Sequence, residues 1–364
     1  MIKVVTVLFL IAGITGIVSA GEQIGTTFSV HPVKSIRLNQ NFADVRPFIS
    51  VAATGDVMLS GGVEYFLKKR GVDYPFKNVN KILTSADIAT CNLEAPFTIN
   101  GAKFKKKFNF KIDPRYAVSI KNAGFDIVNL ANNHILDYGK EGLVSTLAVL
   151  DSLRIEHTGA GLNREKAERP AVIKVNNKTV GFLSYSLTYP SEFWAEQKKC
   201  GTAYPSFNRV KKSIQSLKKE CDFVIVQFHW GGELQTNPKS YQKWYAHASI
   251  DAGADAVIGH HPHVLQGIEI YKGRLIAYSL GNFVFGSYSR KVKESVILKI
   301  WFDKKGTLLS EVVPISVNNY KVMFCPVVQY NAEKLKTIET LNGISAGLNK
   351  GRKIICRSGL IRNF

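Results

Sequence analysis

Three histidines, His260, His261 and His263, follow directly on the apolar run Ala256-Val257-Ile258-Gly259. Imidazole is the commonest metal-ligating side chain, and Pro262, with its fixed φ, stiffens a loop that presents the rings on either side of it. The alternative is a turn whose histidines only form hydrogen bonds. Four other apolar runs end in comparable residues: Asp56, Glu94, the pair Asn133-His134, and His229. Carboxylate and amide oxygens together with imidazole nitrogens are the donors a divalent cation requires. Singly, Asp56 and Glu94 read as well as helix caps or solvated loop carboxylates, Asn133 as a turn former and His229 as a core histidine. As five successive strand ends they read as one site.

The elements that must position these residues follow from the pattern around them. Runs 48–56, 87–94, 124–130, 221–229 and 256–258 are short, apolar and bounded by glycine or polar residues, so they read as buried strands. Helical segments are expected at 62–69, 76–83, 114–123 (opened by Pro114), 139–153, 205–219 and 238–252. The repeated order of strand, polar loop and helix predicts a layered α/β sheet, and a parallel sheet would gather the strand ends on one edge. Residues 107–112 alternate and predict a surface strand. Hairpins are expected over 171–184, 269–280 and 294–317, each turning on Asn or Gly. Residues 185–204 read as loop, and 321–364 as a basic tail with one helix over 331–341.

The chain has 364 residues, 45% of them hydrophobic, enough for a large core. Residues 1–20 combine Lys3, an apolar stretch and Val18-Ser19-Ala20, which predicts a secretory signal peptide; an uncleaved anchor is the alternative. Either places the body outside the cytoplasm, in the periplasm or at the cell surface. Five cysteines, an odd number, specify no disulfide framework. The formal charge is +20, with its densest block at Lys103, Lys105, Lys106, Lys107, Lys111 and Arg115. Such a surface attracts polyanions, either envelope polymers or anionic lipid headgroups, while no nucleic-acid-binding module is present. A basic solvated surface without a specific groove is the plainer alternative. Nothing in the sequence fixes the oligomeric state.

Together the segments Thr54-Gly55-Asp56, Asn92-Leu93-Glu94, Ala131-Asn132-Asn133-His134 with Asp137, His229-Trp230-Gly231-Gly232-Glu233, Gly259-His260-His261-Pro262-His263 and Ser279-Leu280-Gly281-Asn282-Phe283 resemble the poly-gamma-glutamate capsule synthesis family of the CapA type, which is similar to the calcineurin-like metallophosphoesterases. The resemblance runs from Ile49 to Phe285 in order. It implies a layered β-sandwich flanked by helices, within a CapA-like domain at 47–317 between a lead-in (21–46) and a basic extension (318–364). It further implies that Asp56, Glu94, Asn133, His229, His261 and His263 ligate a divalent metal (manganese, iron or zinc), and that His134, oriented by Asp137, protonates a leaving group. His260 is an alternative ligand to His261. Relatives with two complete metal sites carry a histidine where this chain has Met58, whose thioether suits a hard cation poorly. The expected function is metal-dependent hydrolysis or transfer on an anionic polymer such as poly-gamma-glutamate or another envelope polyanion. The alternatives are non-catalytic binding, export or anchoring of that polymer, and a periplasmic phosphoesterase.

Overall fold

The computed structural model describes residues 48–303 and 306–362. The expected signal peptide and lead-in lie outside the described residues. Along the chain the first strands are β1 (Ile49–Met58), β2 (Ile88–Leu93), β3 (Ile127–Asn129), β4 (Glu156–Thr158) and β5 (Ala160–Gly161). Next come β6 (Ala171–Val175), β7 (Lys178–Ser186), β8 (Gly201–Thr202), β9 (Phe223–His229) and β10 (Ala256–His260). The series ends with β11 (Ile268–Tyr271), β12 (Arg274–Ala277), β13 (Asn282–Phe285), β14 (Glu294–Asp303), β15 (Gly306–Ser316), β16 (Val327–Val328) and β17 (Leu360–Ile361).

Fifteen of these strands make two facing sheets, and β5 and β8 pair in a small third one. One runs β16-β15-β14-β1-β2-β3-β4, with β13 also paired to β1 and β17 to β15; the other runs β11-β12-β10-β9-β7-β6. Side chains alternate across a strand, so each sheet has an inner and an outer face. Ile49, Val51 and Ala53 of β1 pack inward with Phe223, Ile225, Ala256 and Ile258 of the opposite sheet. On the outer side of the first sheet, Ala52, Ala89, Cys91 and Val128 pack with Leu67, Ile120 and Leu143 of the covering helices. Outside the second, Val224, Val226 and Val257 pack with Val210 and Ile214 of the helix Phe207–Glu220 and Ala246 of the helix Ser240–Asp251. The layered, helix-flanked α/β sandwich is therefore borne out.

The gathering of strand ends is not the work of one sheet. β1, β2 and β3 run parallel in the first sheet, β9 and β10 in the second, and their carboxyl ends meet across the sandwich. Toward those ends the inner column changes from apolar to polar: Ile88, Thr90, Asn92 on β2 and Phe223, Ile225, Gln227, His229 on β9. Gln227 Nε2 donates to Thr90 Oγ1 at 3.2 Å, which ties the sheets at the change.

Two other expectations need correction. Residues 107–112 form no strand; Ile112 makes an isolated bridge to Phe97, while Phe104 N and Phe110 N donate to the backbone and side chain of Asp137. Phe110 N, a donor the ladder would have used, is spent on the loop after β3. Residues beyond 318, which offered little as sequence, join the sandwich: the helix Asn331–Ala346 places Ile338 and Leu341 in the core between the sheets, and β16 and β17 extend the first sheet. All five cysteines are free thiols. Among the described residues no helix is long and apolar enough to cross a membrane.

Two glycines permit the approach of loop to strand. A Cβ on Gly55 would lie 1.7 Å from Gly281 O, which accepts from Asp56 N at 3.0 Å. A Cβ on Gly259 would lie 1.9 Å from Tyr278 O, the acceptor for Trp230 Nε1. Because backbone cannot move aside as a flexible side chain can, Gly55→Ala is expected to cost about 2–3 kcal/mol, toward the upper part of the overpacking range. Urea unfolding checks this as a lowered midpoint; a midpoint equal to wild type would show that strand and loop separate freely.

Candidate metal centre

Asp56 sits where β1 changes partner. β14 pairs with it as far as Ala53, and β13 takes over at Asp56 with a break in register. Glu94 follows β2 directly and is held by its backbone N bonding Val57 O at 2.8 Å. Asn133 and His134 lie in the loop after β3, His229 ends β9, and His261 and His263 follow β10. Asp56, Glu94 and His229 are fully buried, and His261 nearly so.

The structure brings these side chains into two groups with one member in common. Candidate ligand atoms of Glu94, His229 and His261 lie within 4.8 Å of one another, and so do those of Asp56, Glu94 and His263. Glu94 Oε1 is 3.7 Å from both His229 Nε2 and His263 Nε2. Asn133 Oδ1, 2.7 Å from His229 Nε2, adds a fourth donor to the first group. Glu94 Oε1 and His261 Nδ1 are buried without a hydrogen-bond partner. Buried polar atoms are ordinarily satisfied, and leaving one unpaired costs about 1–3 kcal/mol. Oxygen and nitrogen donors converging with unused lone pairs fit a divalent cation.

The electrostatics fit as well. Burial raises the Glu94 carboxyl well above the usual carboxylate range, and Asp56 adds to the rise. Burial would raise Asp56 too, but contacts with His260 and His263 outweigh it and hold that carboxyl well below its ordinary value. At His263 burial pulls downward, yet Glu94 and Asp56 push the imidazole up to about 10. Burial and then His263 hold His261 down at about 3, and burial and then His261 keep His229 well below its ordinary value. His229 and His261 are thus neutral at pH 7, as ligation requires. The two carboxylates draw positive charge onto His263, and a divalent cation would supply that charge in its place.

The histidine loop is strained. His261 has φ 95° and His263 φ 59°, both in the left-handed region, at a cost of order 1 kcal/mol or more each. The loop is held by His261 N donating to Asp56 Oδ2 at 3.3 Å, Leu234 N donating to Pro262 O at 2.8 Å, and the 2.8 Å contact of His263 Nδ1 with Asn282 Oδ1. With Nδ1 occupied there, His263 Nε2 faces Glu94. His260 belongs to neither group; its Nε2 meets Gln227 Oε1 at 3.2 Å and its Nδ1 lies 3.5 Å from Asp56 Oδ1. It stands behind Asp56. Met58 packs in the outer core of the first sheet, its sulfur 2.6 Å from Ser60 Oγ, and adds no donor to the Asp56 group.

His134 and Asp137 are joined by Nδ1 and Oδ2 at 2.8 Å. Several residues without a role assigned from sequence complete the site. Asn92 Nδ2 donates to Asp56 Oδ1 at 2.8 Å and to Glu94 Oε2 at 3.1 Å, and Asn92 Oδ1 accepts from Asn129 and Asn132. Lys106 reaches inward to Asp137 Oδ1 at 2.5 Å. The basic block is therefore divided: Lys106 is in the site, Lys111 caps Ile99 O and lies over Tyr138, and Lys107 lies over Phe108. The alternation of polar residues on β2 is the signal that identifies Asn92; nothing in a run of lysines singles out Lys106.

A cleft of about 550 Å³ opens on Asn133 and His261. Tyr189, Trp194, Tyr204 and Tyr241 line it, together with Glu233 and Lys239. Trp194 and Tyr204 are packed with ring centroids 4.1 Å apart.

The model of the family described as "Bacterial capsule synthesis protein PGA_cap" matches residues 50–287. The capsule biosynthesis protein CapA of Bacillus anthracis is 31% identical over 309 residues, covering 83% of this chain and 73% of its own. The PGA biosynthesis protein CapA of Bacillus subtilis (strain 168) is 33% identical over 273 residues, covering 74% and 72%. Among solved structures, a phosphatase from Mycoplasma pneumoniae aligns over 74% of this chain and 94% of its own at 18% identity and a TM-score of 0.49.

The two donor groups predict distinct losses of bound metal. In manganese-loaded protein, Asp56→Ala is expected to empty one site and His261→Ala the other, while Glu94→Ala weakens both. Elemental analysis after gel filtration reads this directly. Equal metal content in all three variants would mean that these side chains hold none.

Proposed function

The chain belongs to the bacterial capsule synthesis protein family PGA_cap, and from that membership we propose that it is an exported metal-dependent hydrolase or transferase acting on an anionic envelope polymer of the poly-gamma-glutamate type. The observation that carries the proposal is Glu94, a buried carboxylate common to two convergent donor groups beside a cleft. Asp56, Glu94 and His263 would hold one cation, and Glu94, Asn133, His229 and His261 the other. The chemistry that bound cations supply is polarisation of a phosphoryl or carbonyl oxygen and activation of a nucleophile.

This chain's own residues would do the rest. Asp137 accepts a hydrogen bond from the Nδ1–H of His134 and leaves Nε2 to pass a proton to a leaving group. Burial lowers His134 below its ordinary value against the opposing pull of Asp137, so its protonated form is a ready donor. The aromatic wall of the cleft excludes water on one side, and Lys239 offers a cation to an anionic unit entering there. The excess of 48 basic over 28 acidic residues draws a polyanion from a distance, a contribution that salt screens.

A second reading, in which the scaffold binds, exports or anchors the polymer without turning it over, is favoured by Met58. Its burial in the outer core leaves the Asp56 group with three donors. The readings separate at His134. Under the catalytic one, His134→Ala lowers kcat by about 100-fold or more on gamma-glutamyl oligomers or phosphoesters with added manganese, and metal content stays unchanged. Polymer retained by wild type and variant alike, with no turnover by either, would establish the binding role instead.

A further inference from the structure

We propose that Lys106 is a positioning residue that locks the His134–Asp137 pair to the metal-binding loop. Its side chain is only 17% exposed, and its ammonium is turned into the protein. Nζ lies 2.5 Å from Asp137 Oδ1, donates to the backbone carbonyl of Asn133, and stands 3.2 Å from His134 Nδ1. Asp137, fully buried, has its other oxygen occupied by His134 Nδ1 and by Phe110 N at 2.7 Å. A carboxylate only accepts, so the His134 proton on that side belongs to Nδ1, while the ammonium donates to Asn133 O and pairs by charge with Asp137 Oδ1.

The arrangement works as a clamp on two functions. Through Asp137 it fixes the plane and tautomer of His134. Through the Asn133 carbonyl it fixes the residue whose side-chain Oδ1 lies 2.7 Å from His229 Nε2. The clamp is itself held: Phe104 N donates to Asp137 O at 2.9 Å, the Phe110 ring lies 4.7 Å from the imidazole, and the ammonium sits 5.1 Å over Phe193. Removing the ammonium would leave Asp137 Oδ1 buried and uncompensated, and the carboxylate would turn to find another donor. The imidazole would then lose its single orientation.

The catalytic consequence rests on the proposed reaction; the geometric one does not. The test therefore has two arms, applied to zinc-loaded wild type, Lys106→Met and Lys106→Arg. The first is the 15N imidazole spectrum, with His134 assigned by its disappearance in His134→Ala. Wild type and Lys106→Arg are expected to show His134 as one Nδ1-protonated tautomer, and Lys106→Met to show an averaged pattern. The second arm is hydrolysis of p-nitrophenyl phosphate and of an alkyl phosphate. Nitrophenolate leaves without a proton and an alkoxide does not, so Lys106→Met should lose about 10-fold or more on the alkyl ester and little on the aryl one. An unchanged His134 spectrum in Lys106→Met, or equal losses on both esters, would overturn the proposal. If wild type hydrolyses neither ester, the proposed reaction fails while the spectra still decide the role of Lys106. If Lys106→Met does not fold, Lys106→Gln, which keeps a donor without the charge, is read by the same spectra.

Discussion

Two carboxylates, Asp56 and Glu94, are buried together between the sheets, and much of the surrounding structure answers that constraint. Their ligand atoms lie within 4.8 Å in the group they form with His263. At that separation two full negative charges repel by roughly 3–4 kcal/mol at an effective dielectric near 20, before the cost of taking either from water. The surroundings respond in kind. His263 is driven toward its charged form, Asn92 donates to both acids, and His260 stands against Asp56. None of these fully satisfies Glu94, whose Oε1 remains without a partner. Cations held by the two donor groups that share Glu94 would remove both the repulsion and the unmet acceptor.

The same constraint accounts for the shape of the fold at this end. The carboxylates come from the first sheet and most of the imidazoles from the second, so the sheets must be apolar along most of their facing surface and polar at one edge. The change falls at Thr90 and Gln227, which bond across the gap. Loop and strand must also approach more closely than ordinary side chains permit. Gly55 and Gly259 allow it, and the left-handed backbone at His261 and His263 is the strain that results.

Much of this was legible in the residues. The polar ends of the strands, the order of short motifs and the layered fold all follow from pattern, because a strand boundary marked by glycine and a metal-type donor is a local signal. The inner alternation on β2 also marks Asn92, though only once the facing sheet is known. Lys106 was hidden: as one basic residue among several it carried no local mark, and its inward turn depends on Asp137, 31 positions away in sequence. The segment 107–112 alternates like a strand yet forms none, and its Phe110 N donates to Asp137 instead of to a ladder. The helix expected over 331–341 runs to Ala346, and its place against the sheets depends on contacts with β11 and β15 far back in the chain.

Glu94 is common to both donor groups and would contact a cation in each. Anomalous diffraction from crystals grown with manganese, recorded at the manganese edge, tests it most directly. The account predicts two peaks, one beside Asp56 and His263 and one beside Asn133, His229 and His261, each about 2.0–2.4 Å from a Glu94 carboxylate oxygen. Manganese bound without Glu94, or a site with no anomalous signal at millimolar metal, would contradict it.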